Sequence, residues 1–323
     1  MLIALGVLAA LLVLGLIYEL ASRARDRRLP LPGRMIDMDG YRLHLTDDGT
    51  GGPTVVILHG AGDCSYSWIY MRRQIARTAR VLSYDRAGMG ASPATGQGPD
   101  PVRSIEELHR VLERSGAPGP YVLVGHSLGG LIARLYAHKY PDRVAGIVFV
   151  DSSHEDLLQD KPFLSSLKVL AVMAKVMRAL SVVGLPRLLA SFGVMPMYAS
   201  ERKYYVQQLS PAEYRQWQAA CLGNFSPAAA SELLSAVPMM EAAARIKSPT
   251  QFGDMPVAVL NNPSFGPAWS EKGRELANRS TNATHKTSDR PGHSLQMPRP
   301  ELVLEAVSHV LGQVRERGAR VLR

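Results

Sequence analysis

Apolar positions follow three different rhythms along this chain, and each predicts a different kind of element. Residues 1–18, "MLIALGVLAALLVLGLIY", are uncharged throughout and read as one helix that is apolar all round. From residue 35 onward short apolar runs alternate with segments in which apolar residues recur at spacings of three and four. The runs "TVVILHG" (54–60), "RVLSYD" (80–85), "YVLVGH" (121–126), "AGIVFVD" (145–151) and "PVAVLN" (256–261) are rich in β-branched and aliphatic residues. Strands that read as continuous apolar runs are buried on both faces, which predicts a parallel sheet. "MIDM" and "YRLHL" precede them as a hairpin around Asp39 and Gly40. Helices are predicted over 65–76, over 102–116 with its glycine stop, over 128–140 before Pro141, and over 300–318.

The alternation stops after Asp151. Residues 154–253 carry helical patterns without a convincing buried strand, and the strand at 256 then resumes the sheet. A core made of 35–153 and 254–323 with a helical cap inserted at 154–253 accounts for this. Within the cap Lys161, Lys168 and Lys175 recur every seven residues with Arg178 nearby, and 162–197 has no acidic residue. Such a stripe suits a cap helix with a solvated lysine edge, and it equally suits a lipid-facing surface.

At ~1.5 Å per residue, a helix made of the first apolar run comes close to the roughly 30 Å of a bilayer core. No positive charge precedes the run, and no small-residue cleavage site follows it, so an uncleaved single-pass anchor at 1–22 is expected rather than a signal peptide. Arg23, Arg25, Arg27 and Arg28 follow at once, in a basic linker at 23–34 that includes "LPLPG". The positive-inside tendency then places the rest of the chain in the cytoplasm.

Composition narrows the function classes. With 323 residues, 46% of them hydrophobic, the chain can bury a large core. The formal charge of +9 is scattered and comes with no nucleic-acid motif, so no nucleic-acid partner is expected. Cys64 and Cys221 have neither C-x-x-C nor histidine spacing, so they read as free thiols, and no metal site is expected.

The candidate chemistry begins at "YVLVGHSLGG" (121–130). A strand that ends in G-x-S-x-G and opens directly into a helix forces Ser127 onto a sharp turn with its hydroxyl exposed above the sheet edge. Side chains at Gly125 and Gly129 would collide with the neighbouring strand and helix. "LHGAG" (58–62) ends an earlier strand, and its turn offers the backbone N–H of Ala61 beside that of Leu128 to a developing oxyanion. "YDRAGMGAS" (84–92) follows the next strand, and "RPGHSLQ" precedes the last helix.

Taken in order, H-G-x-G, D-R-x-G-x-G-x-S, G-H-S-x-G-G and a late G-H resemble the α/β-hydrolase superfamily, in its esterase-like branch, over roughly 35–315. The resemblance implies the α/β-hydrolase fold, a mostly parallel central sheet flanked by helices. It also implies Ser127 as nucleophile, the amides of Ala61 and Leu128 as oxyanion hole and His293 as base. The usual place for the acid, after the strand at 256–260, holds "NNPSFGPAW" instead, and asparagine cannot stabilise an imidazolium as a carboxylate does. Asp151, at the end of the preceding strand, stands where a related branch that includes haloalkane dehalogenases keeps its acid; Asp289 and Glu271 are the alternatives. His154 is expected in the substrate pocket. His126 and His59 read as structural, His109 and His138 as surface or core residues, and Asp85 as a brace for the D-R-x-G turn.

The implied activity is hydrolysis of a carboxylic ester, on a small and apolar substrate, through an acyl-enzyme and with no cofactor. Thioesterase, amidase and acyltransferase chemistry would use the same residues. A non-catalytic ligand-binding protein on the same fold is the alternative of another class. Serine rather than aspartate at the elbow argues against dehalogenase or epoxide-hydrolase chemistry. Neither the natural substrate nor the oligomeric state is legible.

Overall fold

The computed structural model of the chain describes residues 2–96, 100–192, 194, 202–222, 227–246, 251–262 and 266–321. Helix α1 (Leu2–Asp26) leads into an eight-stranded sheet: β1 (Arg34–Asp37), β2 (Arg42–Asp48), β3 (Val55–Leu58), β4 (Val81–Tyr84), β5 (Tyr121–His126), β6 (Val144–Val150), β7 (Val257–Asn261) and β8 (Ala283–Thr287). The spatial order is β1-β2-β4-β3-β5-β6-β7-β8. The β1–β2 and β2–β4 pairs are antiparallel and every later pair is parallel. Helices α2 (Ile69–Ile75), α3 (Pro101–Ser115) and α4 (Leu128–Lys139) connect the earlier strands.

Alternate residues of the central strands feed two separate cores. Val56, Leu58, Leu123, Phe149 and Val259 pack with Leu108 and Leu131 on one face of the sheet. Val55, Ile57, Val122, Val124, Val148 and Val150 pack on the other face with Met71, Val307 and Val310. Both faces are therefore dry, which is why these strands are unbroken apolar runs.

Between β6 and β7 the chain forms α5 (Lys161–Ser181), α6 (Leu185–Ser191), α7 (Arg202–Gln208), α8 (Pro211–Trp217) and α9 (Pro227–Ala244). Parts of the expected cap, 195–201, 223–226 and 247–250, lie outside the described residues. Helix α10 (Pro267–Ala277) follows β7 and α11 (Pro300–Val321) closes the fold.

Three features differ from the sequence reading. First, β8 was not expected, because "ATHKT" is polar; as the outermost strand it needs only one paired side and stays largely exposed. Second, α1 continues to Asp26, so Arg23 and Arg25 belong to its last turn rather than to a linker. Third, Cys64 and Cys221 are not free thiols but a disulfide across 157 residues. The spacing rule missed it because the fold, not local sequence, brings the cap segment of Cys221 against the turn that begins at Cys64.

Candidate active site

Ser127 occupies the junction of β5 and α4 at φ 52° and ψ −117°. A non-glycine residue in this region costs on the order of 1–3 kcal/mol and persists only where the surroundings over-determine it. Here the surroundings are the two glycines. A Cβ on Gly125 would stand 2.6 Å from the Gly129 carbonyl oxygen, and one on Gly129 would stand 2.9 Å from the His59 carbonyl oxygen. The strand, the turn and the helix can approach this closely only without those side chains. Leu128 is the first residue of α4, so its N–H has no partner within the helix.

Asp151 follows β6 at φ 45°, a second left-handed residue at the sheet edge. It is fully buried. Its Oδ2 accepts from His293 Nδ1 at 2.6 Å and from Asn262 Nδ2 at 3.0 Å, and its Oδ1 accepts from the Asn262 backbone N–H at 2.9 Å and from Trp269 Nε1 at 2.6 Å. Burial by itself would raise the Asp151 pKa, but the bonds from His293 and Asn262 outweigh it and hold the carboxyl below its ordinary value. Asp151 is thus ionised, which assigns the proton to His293 Nδ1 and leaves Nε2 as the basic nitrogen. Asp289 lies at the surface against Arg299, and Glu271 against Arg274, so both alternatives are engaged elsewhere.

Ser127, His293, Ala61 and Leu128 all line one cavity of about 850 Å³. Leu157, Phe163, Leu167, Leu170, Leu233 and Trp269 supply most of its apolar wall. Asp156 and Lys272 sit at a polar edge and pair with each other at 2.7 Å. His154 is not among the cavity-lining residues. It is buried behind them, its Nδ1 accepting from the Asp156 N–H at 3.2 Å, so the expected pocket role is replaced by a turn cap. Ser153 and Asp156 face the cavity, whereas His154 is extended and caps the short 3-10 turn Glu155–Gln159.

His126 lies beside His293, with ring centroids 4.6 Å apart, and bonds through Nε2 to the His293 carbonyl at 3.0 Å. Burial pushes its pKa down to about 3, with the nearby His293 adding to the effect. It is a neutral donor that anchors the His293 loop. His59 is likewise buried and lowered to about 4, chiefly by burial. Asp85 braces its turn as expected, accepting from the Ala91 N–H at 3.1 Å and the Ser65 N–H at 2.6 Å.

Asn262, Trp269, Arg86 and Glu232 escaped the sequence reading. Asn262 and Trp269 lie in the "NNPSFGPAW" stretch that lacks an acid, and they donate to Asp151, which follows the neighbouring strand. That an asparagine stands at a carboxylate's usual place was the available signal. Nothing in the sequence marks Glu232.

Residues 53–300 match the family model described as alpha/beta hydrolase fold. A rice protein named probable esterase PIR7A (Oryza sativa subsp. japonica) is 40% identical over 105 residues, 31% of this chain and 39% of that one. The chain spans less than half the length of the curated relatives it matches. Among solved structures, a thermophilic esterase from Thermogutta terrifontis aligns with TM-score 0.63 at 22% identity, over 87% of this chain and 97% of that one. The enol-lactonase from Burkholderia xenovorans LB400 aligns with TM-score 0.63 at 18% identity, over 86% of this chain and 100% of that one. At these identities the two structures establish a shared fold.

Proposed function

The chain belongs to the α/β-hydrolase fold family, and on that premise we propose that it is a serine hydrolase cleaving carboxylic esters of apolar acids or alcohols. The observation that carries this reading is the single cavity shared by strained Ser127 and His293, with buried ionised Asp151 behind His293. His293 Nε2 takes the Ser127 proton as Oγ attacks the ester carbon, and the carbonyl oxygen becomes an oxyanion against the N–H groups of Ala61 and Leu128. The imidazolium, stabilised by Asp151, then protonates the departing alkoxide. Water, deprotonated by the same nitrogen, attacks the acyl-serine and releases the acid.

The wall of Leu, Phe and Trp side chains supports an apolar substrate. Its polar edge sets Asp63, Asp156 and Asp160 beside Lys272, and that excess of carboxylates disfavours an anionic substrate. The test is intact-mass labelling with a fluorophosphonate, followed by hydrolysis rates on p-nitrophenyl esters of rising chain length. Ser127→Ala and His293→Ala should each abolish labelling and turnover, and the double variant should be no worse. A labelled, active Ser127→Ala protein would sink the assignment.

Helix α1 is long and apolar enough to cross a membrane, and its large apolar side chains are exposed. We place it in the bilayer as an anchor. It packs on the α5–α6 turn, where Gly15 and Tyr18 meet Val183 and Gly184, and Arg187 pairs with Glu19 at 3.0 Å and with Asp26 at 2.5 Å. Helix α5, which walls the cavity with Leu167 and Leu170, turns Val169, Val172 and Val176 outward beside Lys168 and Lys175. That mixed face favours the lipid-facing reading of the cap over the solvated edge. The Cys64–Cys221 disulfide supports an oxidising compartment for the body of the chain. Large domains translocate largely regardless of flanking charge, so the disulfide supports, against the arginine flank, a body on the non-cytoplasmic side.

A further inference from the structure

The turn that carries Ala61 has little conformational preference of its own. Its residues are Gly60, Ala61 and Gly62, with Gly62 at φ +70°. The direction of the Ala61 N–H must therefore be imposed from outside. Because a peptide unit is planar and trans, the Ala61 N–H points opposite the Gly60 carbonyl, and whatever holds that carbonyl aims the N–H. Arg86 makes the shortest bond to it, donating from Nη2 to the Gly60 oxygen at 2.6 Å and from Nη1 to the His59 oxygen at 2.9 Å, while His59 Nδ1 at 2.9 Å and the Asp63 N–H at 3.4 Å donate to the Gly60 oxygen as well. The next peptide unit is held by Glu232, whose Oε2 accepts from the Gly62 N–H at 2.6 Å. The other oxygen of Glu232 accepts from Arg86 Nε at 2.5 Å.

One carboxylate thus orients Arg86 and Gly62 together, and it comes from α9 in the cap rather than from the sheet. Glu232 and Arg86 are both almost fully buried, and Leu233, the next residue of α9, lines the cavity. A buried ion pair is weak evidence for stability, and two charges are kept dry more readily where they fix a geometry. The acid at 232 stays ionised: burial alone would raise its pKa, but Arg86 and the Gly62 N–H outweigh it.

We propose that Glu232 is a positioning residue for ester hydrolysis, through which the cap sets the oxyanion-binding turn by fixing Arg86 and Gly62. The role rests on the serine-hydrolase reading above. The cap then contributes to transition-state stabilisation as well as to substrate choice, and a cap that lifts from α4 and the sheet loosens the oxyanion hole at the same moment.

The test compares full-length wild type with Glu232→Gln, which retains the shape but cannot accept from both partners, and Glu232→Asp. The aspartate keeps the charge that buried Arg86 requires and shortens the reach by one methylene, so it remains informative should the glutamine variant misfold. Steady-state kinetics on a p-nitrophenyl ester are read beside the inhibition constant of an alkyl trifluoromethyl ketone, whose adduct with Ser127 carries the oxyanion. Deleting an oxyanion donor outright costs about 10²–10³ in kcat, so loosening one should lower kcat and ketone affinity together by about 10- to 100-fold, with KM within about twofold. Folded variants that keep both kcat and ketone affinity within about twofold of wild type overturn the proposal, as does a rise in KM alone, which would make Glu232 a shaper of the cavity. A wild type that neither takes the fluorophosphonate nor hydrolyses any ester is a different result, since it removes the hydrolase reading itself.

Discussion

Asn262 donates to Asp151 twice, from its backbone N–H at 2.9 Å and from Nδ2 at 3.0 Å. The residue at the end of β7 thereby supports the carboxylate at the end of β6, and Trp269 at the start of α10 supplies a further donor at 2.6 Å. These bonds let Asp151 remain ionised while fully buried, the condition for holding His293 in one tautomer.

Graded losses are therefore expected around the acid. Asp151→Asn should lower kcat by about 10⁴ by mispairing the histidine tautomer. Trp269→Phe and Asn262→Ala each remove one donor of several and should cost at most about 10- to 150-fold, since one hydrogen bond to a charged group is worth roughly 1.5–3 kcal/mol at most. Asp289→Asn and Glu271→Gln should be mild. Initial rates on one p-nitrophenyl ester rank the five variants, and a crippled Asp289→Asn beside a healthy Asp151→Asn would reassign the acid.

Acid should destabilise the fold through buried histidines before it reaches the carboxylates. His59 and His126 are lowered to about 4 and about 3 in the folded chain, chiefly by burial. Below the unfolded value of roughly 6.5 the unfolded state binds protons that the native state refuses, so their stabilising contribution is complete above pH 6.5 and declines from there until pH reaches the folded values. Each should cost on the order of 2 kcal/mol by pH 5. Thermal melts from pH 8 to pH 4 check this, and a flat Tm between pH 7 and pH 5 would contradict it.

The disulfide should be recoverable from cells as an oxidised Cys64–Cys221 peptide pair under non-reducing mass mapping. Replacing both cysteines with serine should cost about 2–4 kcal/mol, because the bond closes a long loop and restricts the unfolded chain. Fully reduced thiols in freshly lysed, alkylated cells would return the body to the cytoplasmic side.

A protein starting near Arg34 should leave the membrane fraction while retaining its turnover of a short soluble ester. If the outward face of α5 meets lipid, the shortened protein should still co-sediment weakly with anionic vesicles and release at high salt, at about 1 kcal/mol per basic residue near the headgroups. Changing Lys161, Lys168, Lys175 and Arg178 to glutamine should abolish that residual binding. No binding at low salt would confine membrane association to α1.

Sequence alone determined whatever depends on neighbours along the chain. The buried strands, the Ser127 turn with its two glycines and the late histidine loop are local patterns of burial and backbone sterics, and they stand where they were expected. The position of Asp151 directly after a strand was legible too, because a strand's end is a local feature once the sheet is recognised. The polar edge strand β8 was not, since a strand that buries little leaves no apolar period. Contacts between distant segments were decided only in three dimensions. Cys221 reaches Cys64, Asn262 and Trp269 reach Asp151, His154 turns away from the cavity, and Glu232 reaches the turn of Ala61 across 170 residues. Whether a side chain finds such a partner depends on how strands, helices and cap pack together. That is a property of many contacts summed, which no single stretch of residues encodes.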